Sequence, residues 1–507
     1  MTDAALEESS GPQEVQRTVP PQDQPAESRQ PHVLVVGGGV AGLQMARLLV
    51  TAGVRVTLAE ASDRLGGKVR RHVVGGIAMD AGAESFATRR GTIAALAAEL
   101  GLGDVLVTPS GAGAWLQPRT GPAVPLPKAG LLGIPSVPLA RDVIRIVGLP
   151  GALRAQLDSL MSGFVGSKEH SLGALVRKRM GTAVLDRLVA PVASAIHSRH
   201  PDDLEVDIVA PRLRHAVLSE GSLARAVLTL RASAPAGSAV QGLRGGVFQI
   251  AEALEREVRT RADVRLGTRV VSLESANGGR LVTLRDGHGA DASDGGSAGA
   301  TQFFDAVVLA TALDSLPIGA EDGATRRGAE ERTRTAPTAT ITIATLVLDA
   351  PALDAAPRGS GVIVAAGAPG IRARALTHAT AKWAWLAESA PGKHVVRLSY
   401  ETFESTDAEL LEQARHDAAA VLGVELTPAA VLAFDRTTWP GASSGDSPMR
   451  HGMGPTADPS EVSTPFDLVH IGERVAGTGL QAIIAHTAEQ AEKLCHDLAR
   501  QPGLRLP

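Results

Sequence analysis

The chain has 507 residues, is 44% hydrophobic and 21% charged, and carries a formal net charge of −4. It therefore has enough apolar material for two or three domains and lacks the basic excess of a nucleic-acid binder. A single cysteine, Cys495, excludes an intramolecular disulfide and any cysteine-built metal site, and no metal-ligand set is read elsewhere.

Residues 1–30 are acidic and rich in Pro, Gln, Ser and Glu, with neither a basic n-region nor an apolar h-region. This composition predicts a disordered tail rather than a signal peptide. No apolar run is long enough to span a membrane, so a cytoplasmic protein is expected. The spacing next predicts a strand over His32–Val36. The turn G-x-G-x-x-G follows at Gly37, Gly39 and Gly42, then a helix whose apolar positions are Val40, Leu43, Met45, Ala46 and Leu49, closed by Gly53. A second strand, Val54–Ala59, ends on Glu60. Each position has a physical task. Gly37 makes the tight turn, Gly39 lets a pyrophosphate approach the backbone, and Gly42 lets the helix sit against the strand. The helix N-terminus offers free N–H groups to phosphate, and Glu60 accepts from a ribose hydroxyl. Candidate cofactor contacts are Gly37, Gly38, Gly39, Val40, Ala41, Gly42, Glu60 and Ala61. The motif leaves NAD and FAD both open, and an incidental glycine-rich βαβ unit is the bland alternative.

Arg64-Leu65-Gly66-Gly67-Lys68 comes next. It resembles the R-x-G-G element of two-dinucleotide flavoproteins, the amine-oxidase-like superfamily. The resemblance implies FAD, with Arg64, Gly67 and Lys68 toward its phosphates or flavin edge; a loop with surface charges is the other reading. A short strand, Ile77–Asp80, leads into Asp80-Ala-Gly-Ala-Glu84-Ser85-Phe86 and then the basic pair Arg89–Arg90. This D-x-G-A-E-S-F run is similar to that of the protoporphyrinogen/coproporphyrinogen oxidase family of haem synthesis. So are Val124–Pro135 (VPLPKAGLLGIP), Leu175–Asp207 with its AIHSRHPDD run, Gln241–Gly246, Leu376–Trp383 and Val395–Tyr400. The resemblance implies cofactor contacts at Gly82, Ala83, Glu84 and Ser85. It also puts a substrate-binding cation at Arg90, with Arg89 beside it. A guanidinium fork suits a propionate, although two exposed charges at a helix start would look the same. His197 stands where many relatives have tyrosine, and is a substrate contact or a structural residue.

Between Ala112 and Glu220 the pattern is helical with proline breaks, and Ile134–Leu157 and Ser171–Ala195 have helix-period apolar faces. In the resembled family this lobe roofs the active site and in some members touches a membrane; Arg141, Asp142, Arg145 and Arg154 favour a soluble lobe here over an interfacial one. From Gly245 the pattern returns to α/β, with a helix over Phe248–Val258 and one strand over Leu266–Leu273. The resemblance places Val270 against adenine through its backbone. Residues 284–301 read as a polar, glycine-rich hairpin, Phe304–Thr311 as a strand, 318–335 as exposed and charged, and Thr338–Leu348 as a strand of a second sheet. Trp439 matches a family tryptophan near the flavin, with a core or surface anchor as the alternative. Residues 441–454 depart from the family's P-x-x-x-x-G-H segment, leaving His451 and Gly452 in roughly its place. A last strand ends at Gly472, and a helix begins near Leu480. Gly472, Glu473, Thr478, Gly479 and Leu480 complete the implied FAD set, with Glu473 as a ribityl ligand and the helix dipole toward reduced flavin.

The predicted fold is α/β plus α+β, an amine-oxidase-like flavoprotein fold. Its two-dinucleotide FAD domain comprises 31–92, 241–323 and 432–507. A mixed-sheet substrate domain comprises 93–111, 225–240 and 324–431, and a helical lobe is inserted over 112–224. The resemblance implies FAD-dependent aromatisation of a porphyrinogen, with O2 as acceptor and H2O2 as product. No side chain is named as an acid–base catalyst, since aromatisation supplies driving force. The substrate alternatives, coproporphyrinogen III and protoporphyrinogen IX, differ in two propionates against two vinyls, and resemblance to actinobacterial members favours the former. A ferrochelatase is a conceivable partner, and any membrane contact would be peripheral. The rivals are a flavin amine oxidase, disfavoured by the lysine-free strand ATITIATLVLD and by 3% aromatic residues, a carotenoid desaturase, and a flavin or porphyrin binder without turnover.

Overall fold

The side chains of the first strand, β1 (His32–Val36), sort by parity. Val33 and Val35 enter one core, while Leu34 and Val36 enter another on the opposite face. Both faces are covered, as a buried parallel strand requires. The computed structural model describes residues 29–88, 91–127, 130–197, 199–232, 240–287, 299–311, 340–440, 467–477 and 479–506. Around β1 it builds a five-stranded sheet in the order Asp263–Leu266, Arg55–Glu60, β1, Ala306–Leu309 and Leu468–His470, with every pairing parallel. Three distant stretches of chain thus meet in one sheet. Helix α1 (Val40–Thr51) and helices Phe248–Arg259 and Leu480–Ala499 pack on one face. An antiparallel sheet of Thr268–Ala276, Gly279–Asp286 and Ala300–Phe304 covers the other.

A seven-stranded sheet runs in the order Val431–Pro440, Thr340–Leu348, His394–Glu401, Ala375–His378, Gly361–Val364, Ala114–Gln117 and Val124–Pro125. Helix Asp407–Leu422 packs on it, begun by a capping box in which Thr406 and Glu409 satisfy each other's backbone N–H groups. The helical lobe has its own core, crossed by a buried ion pair between Arg179 and Asp158. Every polar arm of that pair is used. Arg179 also donates to the carbonyls of Val165 and Gly221 at 2.8 Å each, and Asp158 accepts from Ser222 Oγ at 2.7 Å and Ala224 N at 2.9 Å.

Several sequence expectations are corrected. The single strand over Leu266–Leu273 is two, because Gly267 turns with φ +63°; Asp263–Leu266 stays in the parallel sheet and Thr268–Ala276 crosses to the antiparallel one. The helical stretch Ile134–Leu157 begins with a two-residue strand, Ile134–Pro135, and its helix Arg141–Gln156 is kinked where Gly148 takes φ +78° ahead of Pro150. Ser171–Ala195 is interrupted at Gly181, φ +90°. Ala114–Gln117 and Val124–Pro125, expected in the lobe, complete the large sheet by backbone pairing. Val431–Pro440, expected mostly in the FAD domain, is that sheet's edge. Helix Thr92–Glu99 buries Ile93 and Leu96 in the core around α1, and helix Leu223–Ala232 buries Leu223, Ala226 and Val227 in the lobe core. The expected features at 318–335 and 441–454, and most of the 284–301 hairpin, lie outside the described residues.

Candidate FAD site

The three motif glycines occupy three different environments. Gly37 has φ +103°, so it makes the turn that an L side chain would strain. At Gly42 an added Cβ would fall 1.9 Å from the Gly37 carbonyl oxygen, so the helix reaches the strand only because no side chain intervenes. At Gly39 an added Cβ would meet nothing within 4 Å: this face is open. Gly38 is closed off by Leu65 and Glu60, and Glu60 Oε2 accepts from its N–H at 2.6 Å. The R-x-G-G loop lies directly on this turn. Gly66 N donates to Gly38 O at 2.8 Å, and a Cβ on Gly67 would come 3.2 Å from Gly39 Cα.

Beside the turn opens a cavity of about 300 Å³, lined by Val36, Gly37, Glu60, Ala61, Val270 and Thr311, among others. Val270 arrives there at a register break between Val270 and Ser272, a bulge in the antiparallel hairpin. An adenosine and pyrophosphate fit this arrangement. The carboxylate at the end of β2 (Arg55–Glu60), the turn glycine Gly37 and the bulge at Val270 all line the one cavity. Val40 and Ala41 start α1 and are both buried. Thr311 lines the cavity but was not anticipated; its only sequence signal is its position just beyond a buried strand.

A second group continues from Gly67. Lys68 Nζ pairs with Glu473 Oε2 at 2.7 Å. Gly82 lies beyond it, where a Cβ would stand 2.5 Å from Lys68 O and 3.5 Å from Trp439 Nε1. That indole nitrogen is buried and has no hydrogen-bond partner among the described residues, and the Arg70 guanidinium covers the ring at 4.7 Å. Gly39, Gly67, Lys68, Gly82 and Trp439 therefore form a path leading from the phosphate turn toward the edge of the large sheet. Gly472 (φ +97°) and Gly479 (φ +107°) bracket the chain's return, with Gly479 capping helix Leu480–Ala499. Arg64 is engaged with Asp63 on the surface.

The Glu84 carboxylate is engaged by two cations of the chain itself. Lys382 Nζ donates to one oxygen at 2.6 Å and Arg397 Nη1 to the other at 3.1 Å. Burial pushes the carboxyl up, but the two cations outweigh burial and hold it below its ordinary range. Asp80, four residues earlier, accepts from Val247 N at 3.1 Å and Phe248 N at 2.8 Å. Ala83 and Ser85 lie in the turn between these anchors and Phe86. His197 ends helix Ala190–His197, half-buried, with burial lowering its pKa. Arg89, Arg90, Thr478, His451 and Gly452 lie outside the described residues. The sequence reading missed Arg397, although one arginine inside the buried strand HVVRLSY signals a paired charge.

The family model for flavin containing amine oxidoreductase matches residues 40–472. A coproporphyrinogen III oxidase of Mycobacterium leprae is 31% identical over 494 residues, covering 92% of this chain and 98% of the relative. A protoporphyrinogen oxidase 2 of Arabidopsis thaliana, chloroplastic/mitochondrial, is 27% identical over 49% of this chain and 51% of its own. Among solved structures, a candidate protoporphyrinogen oxidase from Exiguobacterium superposes with a TM-score of 0.73 at 22% identity, covering 93% of this chain and all of that one. A putrescine oxidase variant superposes with a TM-score of 0.60 at 14% identity over 93% and 99%. These two likenesses establish the fold, while the family match spans most of the sequence. The chain belongs to the flavin containing amine oxidoreductase family, in its coproporphyrinogen and protoporphyrinogen oxidase branch, with FAD as its cofactor.

Proposed function

We propose that this protein aromatises coproporphyrinogen III to coproporphyrin III in haem biosynthesis, removing six hydrogens in three two-electron rounds while three O2 become three H2O2. The observation that carries this reading is the end-to-end match to the mycobacterial relative of that name. The D-x-G-A-E-S-F run supports it, as does the absence of lysine from strand Thr340–Leu348, where a flavin amine oxidase would carry one. When bound, FAD supplies the two-electron acceptor. The chain's own part is positioning. The open face of Gly39 and the α1 N-terminus take the pyrophosphate, Glu60 takes the ribose, and the backbone at Val270 takes the adenine. Lys68, Gly82, Trp439, Gly472, Glu473, Gly479 and Leu480 surround the flavin end. Arg90, with Arg89, takes a substrate carboxylate. Residues from the two sheets and the lobe enclose the reacting carbon and exclude water. The FAD domain, substrate domain and lobe divide this work, with the boundaries shifted as the packing requires. Among the described residues no helix is long and apolar enough to cross a membrane. We place the activity in the cytoplasm, with handover to a ferrochelatase as the consuming step.

The test is direct. Purified protein should be yellow, bleach anaerobically on adding coproporphyrinogen III, and release three H2O2 per porphyrin in air. A yellow protein that does not bleach would identify a binding protein instead. Turnover should be faster on coproporphyrinogen III than on protoporphyrinogen IX. Arg90→Ala should raise KM for the tetracarboxylate substrate about tenfold or more with kcat little changed, since one charge-assisted contact is lost.

A further inference from the structure

The segment from Asp80 to Glu84 is fastened at both ends, and the fastenings belong to different parts of the molecule. At one end the Asp80 carboxylate holds the first N–H groups of helix Phe248–Arg259. At the other, Glu84 is held by Lys382, which follows strand Ala375–His378, and by Arg397, within strand His394–Glu401. Arg397 does more than pair. Its Nη2 donates to the carbonyl oxygens of Ala81 at 2.8 Å and Gly82 at 3.2 Å. It thus grips the backbone whose other side faces Lys68 and Trp439. All three side chains are largely buried, at 14%, 18% and 7% exposure for Glu84, Lys382 and Arg397. Apolar residues would fasten a loop at lower cost than a buried ion cluster. Charges at this depth are weakly screened and act on whatever lies across Gly82.

We propose that Glu84, Lys382 and Arg397 are positioning residues that seat Gly82–Ala83 against the flavin ring and set the charge the ring experiences, so that its reduction potential follows the charge of the cluster. This rests on the flavin site proposed above. Removing a cation should make the reduced, more negative flavin less favourable, and removing the anion should do the opposite.

The test measures the midpoint potential of bound FAD by anaerobic titration against a reference dye, with thermal melting in parallel. Lys382→Met should lower the potential and Glu84→Gln should raise it. The double variant, which removes one charge of each sign, should return toward wild type, and Lys382→Arg should stay near it. A merely structural cluster would give shifts of one sign that track lost melting temperature. Potentials unmoved in Lys382→Met with FAD bound, or a double variant no closer to wild type than the single variants, overturn the inference. If Glu84→Gln does not fold, Lys382→Met, Lys382→Arg and the double variant decide alone. Wild-type binding of FAD that survives Gly39→Leu would instead refute the underlying site.

Discussion

Gly39→Ala separates what the glycine turn does for the fold from what it does for the cofactor. Gly39 has φ −71° and ψ 177°, a conformation open to any residue, and its new Cβ would touch nothing within 4 Å. The cofactor-free protein should therefore keep its stability or gain about 0.4–1 kcal/mol, because alanine restricts the unfolded chain. FAD is affected differently, since the methyl group projects into the space assigned to its pyrophosphate. If the variant binds about 100-fold more weakly, the ligand's contribution falls predictably. At a free FAD concentration 100 times the wild-type Kd, wild type is stabilised by about 2.7 kcal/mol and the variant by about 0.4 kcal/mol. Gly42→Ala is the converse control. Its Cβ would lie 1.9 Å from the Gly37 carbonyl oxygen, roughly 1.5 Å short of ordinary contact. The helix must move off the strand, so stability should fall by about 1–3 kcal/mol or more even without FAD. The assay is thermal melting with and without FAD, alongside titration of flavin fluorescence. A Gly39→Ala protein that binds FAD as tightly as wild type would refute the placement of the phosphate at this turn.

Two further perturbations probe buried charges. Arg179→Ala strips Asp158 of its partner in the lobe and should cost about 3–5 kcal/mol in urea denaturation; adding Asp158→Leu should recover part of it, since the uncompensated charge is gone. Burial raises the Asp80 carboxyl to about 6, against the pull of the Val247 and Phe248 N–H groups. Between about pH 4 and 6 the native state therefore holds a proton that the unfolded state, near 3.8, has released. This group's contribution is complete below about pH 4 and is lost as pH rises through about 6, an effect of roughly 3 kcal/mol. The difference in stability between wild type and Asp80→Asn should change with pH only in that window; a pH-independent difference would contradict the shift.

The turn at Gly37–Gly42 was legible because its constraints are local. A left-handed φ, a helix start and a close carbonyl all involve residues within about one helical turn of each other. The strand β1 was legible for the same reason, as a short apolar, β-branched run is itself a local signal. The Leu266–Leu273 stretch was misread because its apolar pattern continues through Gly267, while the backbone changes sheets there. The lobe helices were read too long because the 3.6-residue period survives a break at Gly148 or Gly181 that only the backbone angles reveal. Glu84 shows what a motif leaves unspecified. The motif that contains it points to the cofactor, yet its oxygens belong to residues 298 and 313 positions away.

By itself the sequence determined the nucleotide turn, the strand and helix periods around it and the resemblance that named the chemistry. These rest on short-range geometry and on motifs readable in a line. Only the tertiary structure decided which strands stand beside β1, where Gly82 faces, and whom Glu84 holds. A buried carboxylate needs a cation, but nothing local specifies which one. That choice is made when the segment after Asp80 packs against the strands and helix that carry Lys382 and Arg397 and the ion cluster is buried there.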